Sequence, residues 1–323
     1  MLIVGAELVR RLLPMADCIR LMEQAFRAAS DGSSVQGLRA IIPVSGSAGG
    51  VLGVMPGAMC APPCFGVKVV SVRHGGGGQS HQGGVLLFSA ESFAPVALLH
   101  AGEITAIRTA AATAVATRAL ARKEARVLAI LGTGEQAGTH LRALTVERDW
   151  DEIRVWGRSL AKAKALVDAV GGEVSGRLVA VAGVAEAVAG AGVVCAVTNA
   201  ATPIFTADML EAGMHLNLVG ASVPGTREVD GATMAAGLLF VDNEAIARTA
   251  SGDFMLALAE GAIGAGHIRC ELGGVLLGHV AGRGDDAKVT IFKSLGMPVE
   301  DLVVAEFVYR AATREGAGTV AVW

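Results

Sequence analysis

The stretch RVLAILGTGEQAGTHLRAL, residues 126–144, decides the fold. Its apolar run predicts a buried strand over residues 127–131, followed by a helical pattern. Between them Gly132, Gly134 and Ala137 have the spacing G-x-G-x-x-A, which permits a tight turn, a close backbone approach to a pyrophosphate, and close helix packing. The helix N-terminus would face phosphates with its partial positive charge. We therefore predict a dinucleotide-binding turn, with an ordinary strand–helix turn as the alternative.

The composition is that of a globular chain that is large enough for two domains. It has 323 residues, of which 52% are hydrophobic and 18% charged. A net charge of −3 gives no reason to expect nucleic acid or a membrane as a partner. No apolar run of about 18 residues predicts a transmembrane helix. Five irregularly spaced cysteines suit a reducing cytoplasm, and no metal site is expected.

The pattern of apolar residues changes along the chain. A helix over residues 14–30 precedes short strands, which predict an antiparallel meander; these strands are residues 38–44, 51–55, 65–72, 85–88 and 96–100. A helix over residues 103–121 then leads into alternating strands and helices, which predict a doubly wound parallel sheet. Its further strands are expected at residues 153–156, 178–181, 193–197, 215–219, 238–241 and 289–292, and a last helix at 299–312.

The end of the second strand of this sheet indicates which nicotinamide cofactor is preferred. An NAD site usually has an acidic residue there, which binds the ribose 2′-hydroxyl. This chain has Gly157, Arg158 and Ser159 instead. Because Arg158 can pair with a 2′-phosphate and Ser159 can donate to it, we predict NADP(H) rather than NAD(H), although NAD(H) stays possible.

Three basic residues lie in otherwise apolar elements. Lys68 is in a predicted strand, and it must line a cavity, pair with an acid, or lie on an exposed edge. Arg39 begins another strand, and Arg108 is expected in the first turn of the helix after the meander. We interpret the three as a pocket for a small carboxylate, with Lys68 as a proton donor; internal ion pairs are the alternative. His81 could orient the substrate or transfer a proton, or be structural.

Read together, several segments resemble the ornithine cyclodeaminase/mu-crystallin family over nearly the whole chain. They include VMPG (54–57), GVKVV (66–70), SHQ (80–82), ITAIRTAA (104–111), ILGTGEQA (130–137), VGASVPGTREVD (219–230) and FKSLGMPVED (292–301). Within the family the chain is most similar to the mu-crystallin-type ketimine reductases. The resemblance implies a Rossmann domain at residues 113–295, an antiparallel α+β domain for substrate and dimerisation at 1–112 and 296–323, and a cytoplasmic homodimer.

The resemblance also assigns site residues. The implied catalytic residues are Lys68, Arg108, Arg39 and His81, and the implied substrate contacts add Met55, Ser80 and Ser222. The implied cofactor contacts are Arg108, Thr109, Gly132, Thr133, Gly134, Glu135, Gln136, Gly157, Arg158, Ser159, Val197, Thr198, Asn199, Val219, Ser222 and Ser294.

Ser222 is an informative departure from the cyclodeaminases of the family, which have an aspartate at this position. A serine cannot act as a carboxylate base near neutral pH, so plain reduction is favoured. The expected reaction is NADPH-dependent reduction of Δ1-pyrroline-2-carboxylate or Δ1-piperideine-2-carboxylate to L-proline or L-pipecolate. The alternatives are an ornithine cyclodeaminase, an alanine-type amino-acid dehydrogenase, and a non-enzymatic ligand-binding protein.

Overall fold

The computed structural model describes residues 1–37, 39–44, 50–73 and 81–322, except for the side chains of Arg73 and His81. The chain forms two compact units. Unit 1 consists of Met1–Thr109 and Gly296–Trp323, and unit 2 of Ala110–Leu295. Each unit is built around one β-sheet.

The first part of the chain contains β1 (Leu2–Val4), α1 (Ala6–Leu12), α2 (Met15–Asp31), β2 (Ser34–Gln36), β3 (Ala40–Val44), β4 (Gly50–Cys60), β5 (Pro63–Arg73), β6 (His81–Phe88), β7 (Pro95–His100) and α3 (Ala101–Leu120). The nucleotide-type sheet and its helices follow as β8 (Val127–Leu131), α4 (Glu135–Glu147), β9 (Glu152–Trp156), α5 (Leu160–Val170), β10 (Arg177–Val181), α6 (Val184–Val188), β11 (Val193–Ala196), β12 (His215–Leu218), α7 (Gly231–Ala236), β13 (Gly237–Val241), α8 (Glu244–Ala250), α9 (Gly252–Ala259), β14 (Ile268–Glu271), α10 (Leu272–Leu276) and β15 (Val289–Lys293). The chain ends with α11 (Pro298–Glu315) and β16 (Thr319–Val320), and a short 3₁₀ turn covers Ala207–Met209.

The sheet of unit 1 has the order β16-β1-β7-β6-β5-β4-β2, and β3 also pairs with β4. The predicted antiparallel meander is confirmed from β4 to β7, whereas β1 joins β7 in parallel. Helix α11 packs on β4 and β5, where small residues permit a close approach. A Cβ on Gly57 would lie 2.9 Å from Pro298, and one on Gly66 would lie 3.1 Å from Leu302.

The sheet of unit 2 confirms the predicted doubly wound fold. Its strands all run parallel in the order β10-β9-β8-β11-β12-β15-β13-β14. The order reverses beside β8, the strand predicted before the glycine-rich turn, and a crevice for ligands opens at the carboxyl ends of strands at such a point. Strands β11 and β12 are buried at every residue, and β11 is apolar throughout.

Two sequence-based expectations were wrong in detail. Helix α3 begins at Ala101, so Arg108 lies about two turns inside it rather than in its first turn. Strand β3 begins at Ala40, so Arg39 comes just before the strand. Helices α7 to α10 and strand β14 were not predicted, because they are short and follow each other across turns rich in glycine and alanine.

Two kinds of feature are absent from the described ranges. No helix within residues 1–37, 39–44, 50–73 and 81–322 is long and apolar enough to cross a bilayer. Within the same ranges, no group of three or more histidine, cysteine or acidic side chains is placed to hold a metal ion.

Candidate functional site

Lys68 lies inside unit 1 and forms a buried ion pair. It is on β5, between β4 and β6, and only 2% of it is exposed, so the exposed-edge alternative is wrong. Its Nζ atom donates to Oδ1 of Asp301 on α11 at 2.9 Å. Its neighbours on the same face are buried, while Val69 on the other face is exposed, as the alternation of a strand predicts.

Arg108 on α3 joins the same group. Its Nε donates to Oδ1 of Asp301 at 3.1 Å, and its Nη1 donates to Oε2 of Glu300 at 2.9 Å. The guanidinium lies against Gly296, where φ is +84° and a Cβ would lie 2.6 Å from the guanidinium nitrogens. Only glycine fits this position without moving Arg108. Internal ion pairs, the alternative from the sequence, therefore hold for both Lys68 and Arg108.

The two acids of this group were not assigned to the site by sequence. Glu300 and Asp301 lie in the first turn of α11, where the helix dipole favours negative charge, and both are fully buried. Oε1 of Glu300 also accepts from the backbone N–H of Met297 at 3.1 Å, which caps the helix. The signal was available: adjacent acids begin a helix whose buried residues are mostly apolar.

The group sets the protonation of Lys68 near neutrality. The pKa of Lys68 is lowered to about 8, because burial and the positive charges of Arg108 and Arg39 lower it more than Asp301 raises it. For Asp301, burial alone would raise the pKa, but the charges and hydrogen bonds of Arg108 and Lys68 outweigh it. Asp301 is therefore ionised and Lys68 can exchange a proton.

Three basic side chains and two carboxylates lie in one group of charges. The charged groups are Arg39, Lys68 and Arg108 against Glu300 and Asp301, and we call these five residues the charged cluster. Charge-assisted hydrogen bonds from such cations to a carboxylate are strong in a buried site.

Of the other substrate residues predicted in the first part of the chain, the structure describes Met55 and Arg39. Met55 lies directly opposite Lys68 in the pairing of β4 with β5 and is buried. Arg39 is half-buried and near enough to influence the pKa of Lys68. Ser80 and the side chain of His81 lie outside the described residues.

The glycine-rich turn in unit 2 has the geometry that a pyrophosphate requires. Gly132 has φ of +138°, and a Cβ there would lie 2.8 Å from the carbonyl oxygen of Val197. Gly134 is the N-cap of α4 with no side-chain cap, and a Cβ there would meet no described atom within 4 Å. The backbone at Gly134 therefore faces open space, ahead of a helix N-terminus that attracts anions.

The residues around this turn support a bound group. Gly134 and Glu135 are exposed and lead into Gln136, whose buried Oε1 accepts no hydrogen bond from any residue that the structure describes. A buried acceptor without a donor is costly, and a ligand can supply the donor. The turn and the helix N-terminus would hold the pyrophosphate of a dinucleotide, and an O–H or N–H group of the same ligand would donate to this acceptor.

The end of β9 contains no acidic residue, as the sequence shows. Gly157 is buried, and a Cβ there would lie 2.4 Å from Cγ2 of Thr133, so this loop lies against the glycine-rich turn. Arg158 is exposed. Oγ of Ser159 accepts from the backbone N–H of Lys162 at 3.4 Å and thereby caps α5. This bond uses the oxygen as an acceptor and leaves its hydrogen available for donation.

The remaining predicted cofactor residues of unit 2 follow central strands. Val197, Thr198 and the exposed Asn199 come directly after β11, and Val219 follows β12. Ser222 is exposed beyond β12, and Ser294 is buried just after β15. Thr109, in unit 1, is buried on α3 beside Arg108.

One acid near these strand ends was not assigned by sequence. Glu228 is fully buried and accepts hydrogen bonds from the backbone N–H and Oγ1 of Thr198 and from the backbone N–H of Gly220. Its signal in the sequence was weak, because it lies in a loop, where no periodic pattern marks a buried residue.

Together, the parallel sheet, its switch point and the glycine-rich turn define a protein with an NAD-binding Rossmann-like fold. The family model "Ornithine cyclodeaminase/mu-crystallin family" matches residues 2–316. The chain belongs to this family.

Individual relatives extend over most of the chain. Ketimine reductase mu-crystallin of Mus musculus is 38% identical over 287 residues, which cover 88% of this chain and 87% of the relative. The solved structure of Thermococcus litoralis Δ1-pyrroline-2-carboxylate reductase with NADH and L-proline is 31% identical, with a TM-score of 0.96 over 99% of this chain and 100% of that one. An archaeal alanine dehydrogenase dimer with bound NAD is 28% identical, with a TM-score of 0.91 over 100% and 99%.

Proposed function

We propose that this oxidoreductase reduces the C=N bond of a cyclic ketimine that bears a carboxylate, with NADPH as the preferred reductant. The charged cluster carries the proposal. It brings guanidinium groups, which match the geometry of a carboxylate, close to a buried lysine whose pKa is about 8, and therefore suits a ligand with one carboxylate and a basic nitrogen. Δ1-Pyrroline-2-carboxylate and Δ1-piperideine-2-carboxylate have this chemistry, and the former is in the name of the T. litoralis relative.

In this proposal the basic residues of the charged cluster have two roles, which are carboxylate binding and proton donation. Arg39 and Arg108 bind the substrate carboxylate, because guanidinium groups match its geometry. Lys68 gives a proton to the imine nitrogen, directly or through water, and so holds the substrate as an iminium cation. When bound, the nicotinamide supplies the hydride that the imine carbon accepts. Met55, Ser80, His81 and Ser222 are proposed to line the substrate, with His81 as the alternative proton donor.

The cofactor proposal depends on the loop after β9. Arg158 is exposed there with no acidic residue beside it in the loop, which supports a contact with a 2′-phosphate. The archaeal relatives were solved with NADH or NAD, so a nicotinamide cofactor is common to the group. The preference for NADP(H) is the specific proposal for this chain.

We also propose that the protein is a cytoplasmic homodimer. Strand β3 pairs with β4, and all five of its described residues are exposed, with Ile41, Ile42 and Val44 47%, 51% and 54% exposed. Apolar residues on an exposed strand favour burial against another chain. The related alanine dehydrogenase is a dimer, and the free cysteines suit a reducing compartment.

A second candidate function is supported by the archaeal alanine dehydrogenase, whose fold matches over the whole chain. Pyruvate and ammonia would form a carboxylate-bearing imine that suits the same cluster. An ornithine cyclodeaminase is less well supported, because the exposed Ser222 supplies no carboxylate.

One panel of substrates tests these alternatives. Reduction of the two cyclic ketimines, and of pyruvate in the presence of ammonia, is assayed with the purified protein and either NADPH or NADH. L-Ornithine is assayed with NAD. The proposal predicts the highest kcat/KM for a cyclic ketimine with NADPH. Faster turnover of pyruvate with ammonia would make the protein an amino-acid dehydrogenase, and ammonia release from ornithine would make it a cyclodeaminase. Binding of NADPH without any turnover would make it a ligand-binding protein.

A further inference from the structure

Glu228 ties together two neighbouring strand ends of the parallel sheet. Its Oε1 accepts from the backbone N–H of Thr198 at 2.6 Å and from the Thr198 hydroxyl at 2.8 Å. Its Oε2 accepts from the backbone N–H of Gly220 at 2.8 Å. Thr198 follows β11 and Gly220 follows β12, so one buried carboxylate fixes the spacing of both loops.

The space between Gly220, Thr198 and Glu228 does not admit a side chain at residue 220. A Cβ on Gly220 would lie 2.1 Å from the carbonyl oxygen of Thr198 and 2.6 Å from Oε1 of Glu228. Residue 220 must therefore be glycine for the carboxylate to reach both loops. The backbone N–H of Glu228 is itself held at 2.8 Å by Oδ1 of Asp253 on α9.

Two further charged groups complete a buried triad. Lys293, at the end of β15, donates to the carbonyl oxygen of Gly220, and its Nζ lies 3.0 Å from Oδ2 of Asp253. Glu228, Asp253 and Lys293 are 0%, 1% and 0% exposed. With both acids ionised the triad has one negative charge in excess, and with Glu228 protonated it has none.

Glu228 changes its charge near neutral pH. The pKa of Glu228 is raised to about 7, because burial and the charge of Asp253 raise it more than Lys293 and the hydrogen bonds from Thr198 lower it. The Cys195 thiol on β11 is the other titratable group influenced by Glu228, and its pKa is raised far above the usual range by burial first and by Glu228 second. Cys195 therefore stays neutral and Glu228 is the group that titrates.

The triad lies in one of the two mononucleotide-binding halves of the parallel sheet. A doubly wound sheet consists of two mononucleotide-binding halves that meet at the switch point. Strands β8, β9 and β10 form the half that includes Arg158, and β11 and β12 belong to the other half. Under the function proposed above, which this inference presupposes, the second half receives the nicotinamide.

We propose that Glu228 is a positioning residue for the nicotinamide end of the cofactor site, and that its charge discriminates between the two redox forms. The ionised triad favours the oxidised ring, which carries a positive charge. The protonated triad favours the reduced ring, which is neutral. Glu228 does this from behind the Thr198 and Gly220 loops, without donating a proton to the substrate.

The test measures cofactor binding without substrate. Dissociation constants of NADP⁺ and NADPH are determined by calorimetry at several pH values on either side of neutrality. In the unmodified protein, the preference for NADPH over NADP⁺ should increase about tenfold as the pH falls through the pKa of Glu228. Glu228→Gln should make the ratio of the two constants independent of pH, and Glu228→Asp, which restores a titrating carboxylate, should restore the dependence.

Two further measurements keep the test decisive. Thr198→Val removes a hydrogen bond to the ionised Glu228, so the midpoint of the pH dependence should move to higher pH even if Glu228→Gln fails to fold. Glu260→Gln, an exposed acid that pairs with Arg227, should change nothing. An unaltered pH dependence in Glu228→Gln, or an unmoved midpoint in Thr198→Val, would overturn the inference.

The outcome is separable from that of the proposed function. A protein that binds both redox forms with the predicted pH dependence, yet reduces no cyclic ketimine, would refute the proposed reaction and support the role of Glu228. A protein that reduces ketimines, but whose ratio of dissociation constants for NADP⁺ and NADPH does not change with pH, would support the proposed reaction and refute the role of Glu228. Failure to bind either redox form would overturn both.

Discussion

The Nζ atom of Lys68 lies 2.9 Å from Oδ1 of Asp301, and the two side chains are 2% and 0% exposed. The same oxygen accepts from Nε of Arg108 at 3.1 Å, so one carboxylate oxygen serves two cations. Because Asp301 shares this oxygen between two cations, it offsets only part of the cost of removing the Lys68 ammonium from water, and the pKa of Lys68 is about 8. A lysine with such a pKa is charged at neutral pH and still able to release its proton.

The first prediction concerns Lys68 itself. Lys68→Ala removes the proposed proton donor and should lower kcat/KM for a cyclic ketimine at least about a hundredfold, the usual contribution of a positioned acid. Binding of NADPH, measured by fluorescence, should stay nearly the same. Lys164→Ala, an exposed lysine on α5, is the control and should retain full activity. Undiminished turnover in Lys68→Ala would remove this residue from the mechanism and leave His81 as the donor.

The second prediction concerns the alkaline limit of activity. Protonated Lys68 is required, so kcat/KM should fall as the pH rises through about 8. Asp301→Asn removes the negative charge that raises the pKa of Lys68, so the alkaline limb of the pH profile should move to lower pH. Glu306→Gln changes an acid on the same helix, where Glu306 pairs with Arg310, and should leave the limb in place. A limb that moves upward in Asp301→Asn contradicts the assignment.

The third prediction concerns stability. Arg108→Ala leaves Glu300 buried without its guanidinium partner and leaves Asp301 with Lys68 alone. Removing one partner of a buried ion pair costs about 3–5 kcal/mol of unfolding free energy. Arg118→Ala on the same helix removes an exposed arginine that pairs with Glu147 and should cost less than about 1 kcal/mol. Urea unfolding of both variants measures the difference, and equal losses would show that the buried pair does not stabilise unit 1.

Local patterns made much of the fold predictable. Strand β8 was predicted to the residue, because a continuous apolar run that ends at a glycine is visible within a few residues. Strand β4 was predicted to end at Met55, but it continues through Pro56 and Gly57 to Cys60. Proline and glycine usually end a strand, and here the long pairing with β5 and the approach of α11 maintain it.

The site was less predictable, because its partners are far apart in the sequence. Lys68 and Asp301 are separated by 233 residues, and Arg108 and Glu300 by 192. Apolar surroundings indicated that Lys68 and Arg108 needed partners, but no periodic pattern could say which acids supply them. Glu228 was missed for a similar reason, since its donors lie on loops 30 and 8 residues away.

The fourth prediction tests the proposed dimer. Ile42, on the exposed strand β3, is 51% exposed in the single chain. If β3 packs against a second copy, Ile42→Glu buries a charge at the interface and should produce monomers in sedimentation velocity experiments. Val146→Glu on α4, at a residue that is 53% exposed, is the matched control and should leave the dimer intact. A dimer that survives Ile42→Glu would place its interface elsewhere.

The fifth prediction tests the choice of cofactor. Arg158→Ala removes the only proposed charge contact with the 2′-phosphate, and bonds to charged groups contribute about 1.5–3 kcal/mol. The dissociation constant of NADPH should therefore rise at least about tenfold, while that of NADH, which lacks this phosphate, should change little. Arg177→Ala is the control, because Arg177 on the neighbouring strand β10 is exposed and pairs with Glu152. If the affinities for NADPH and NADH fall together, Arg158 acts on the adenosine half in general, and the preference for NADPH has no basis in this loop.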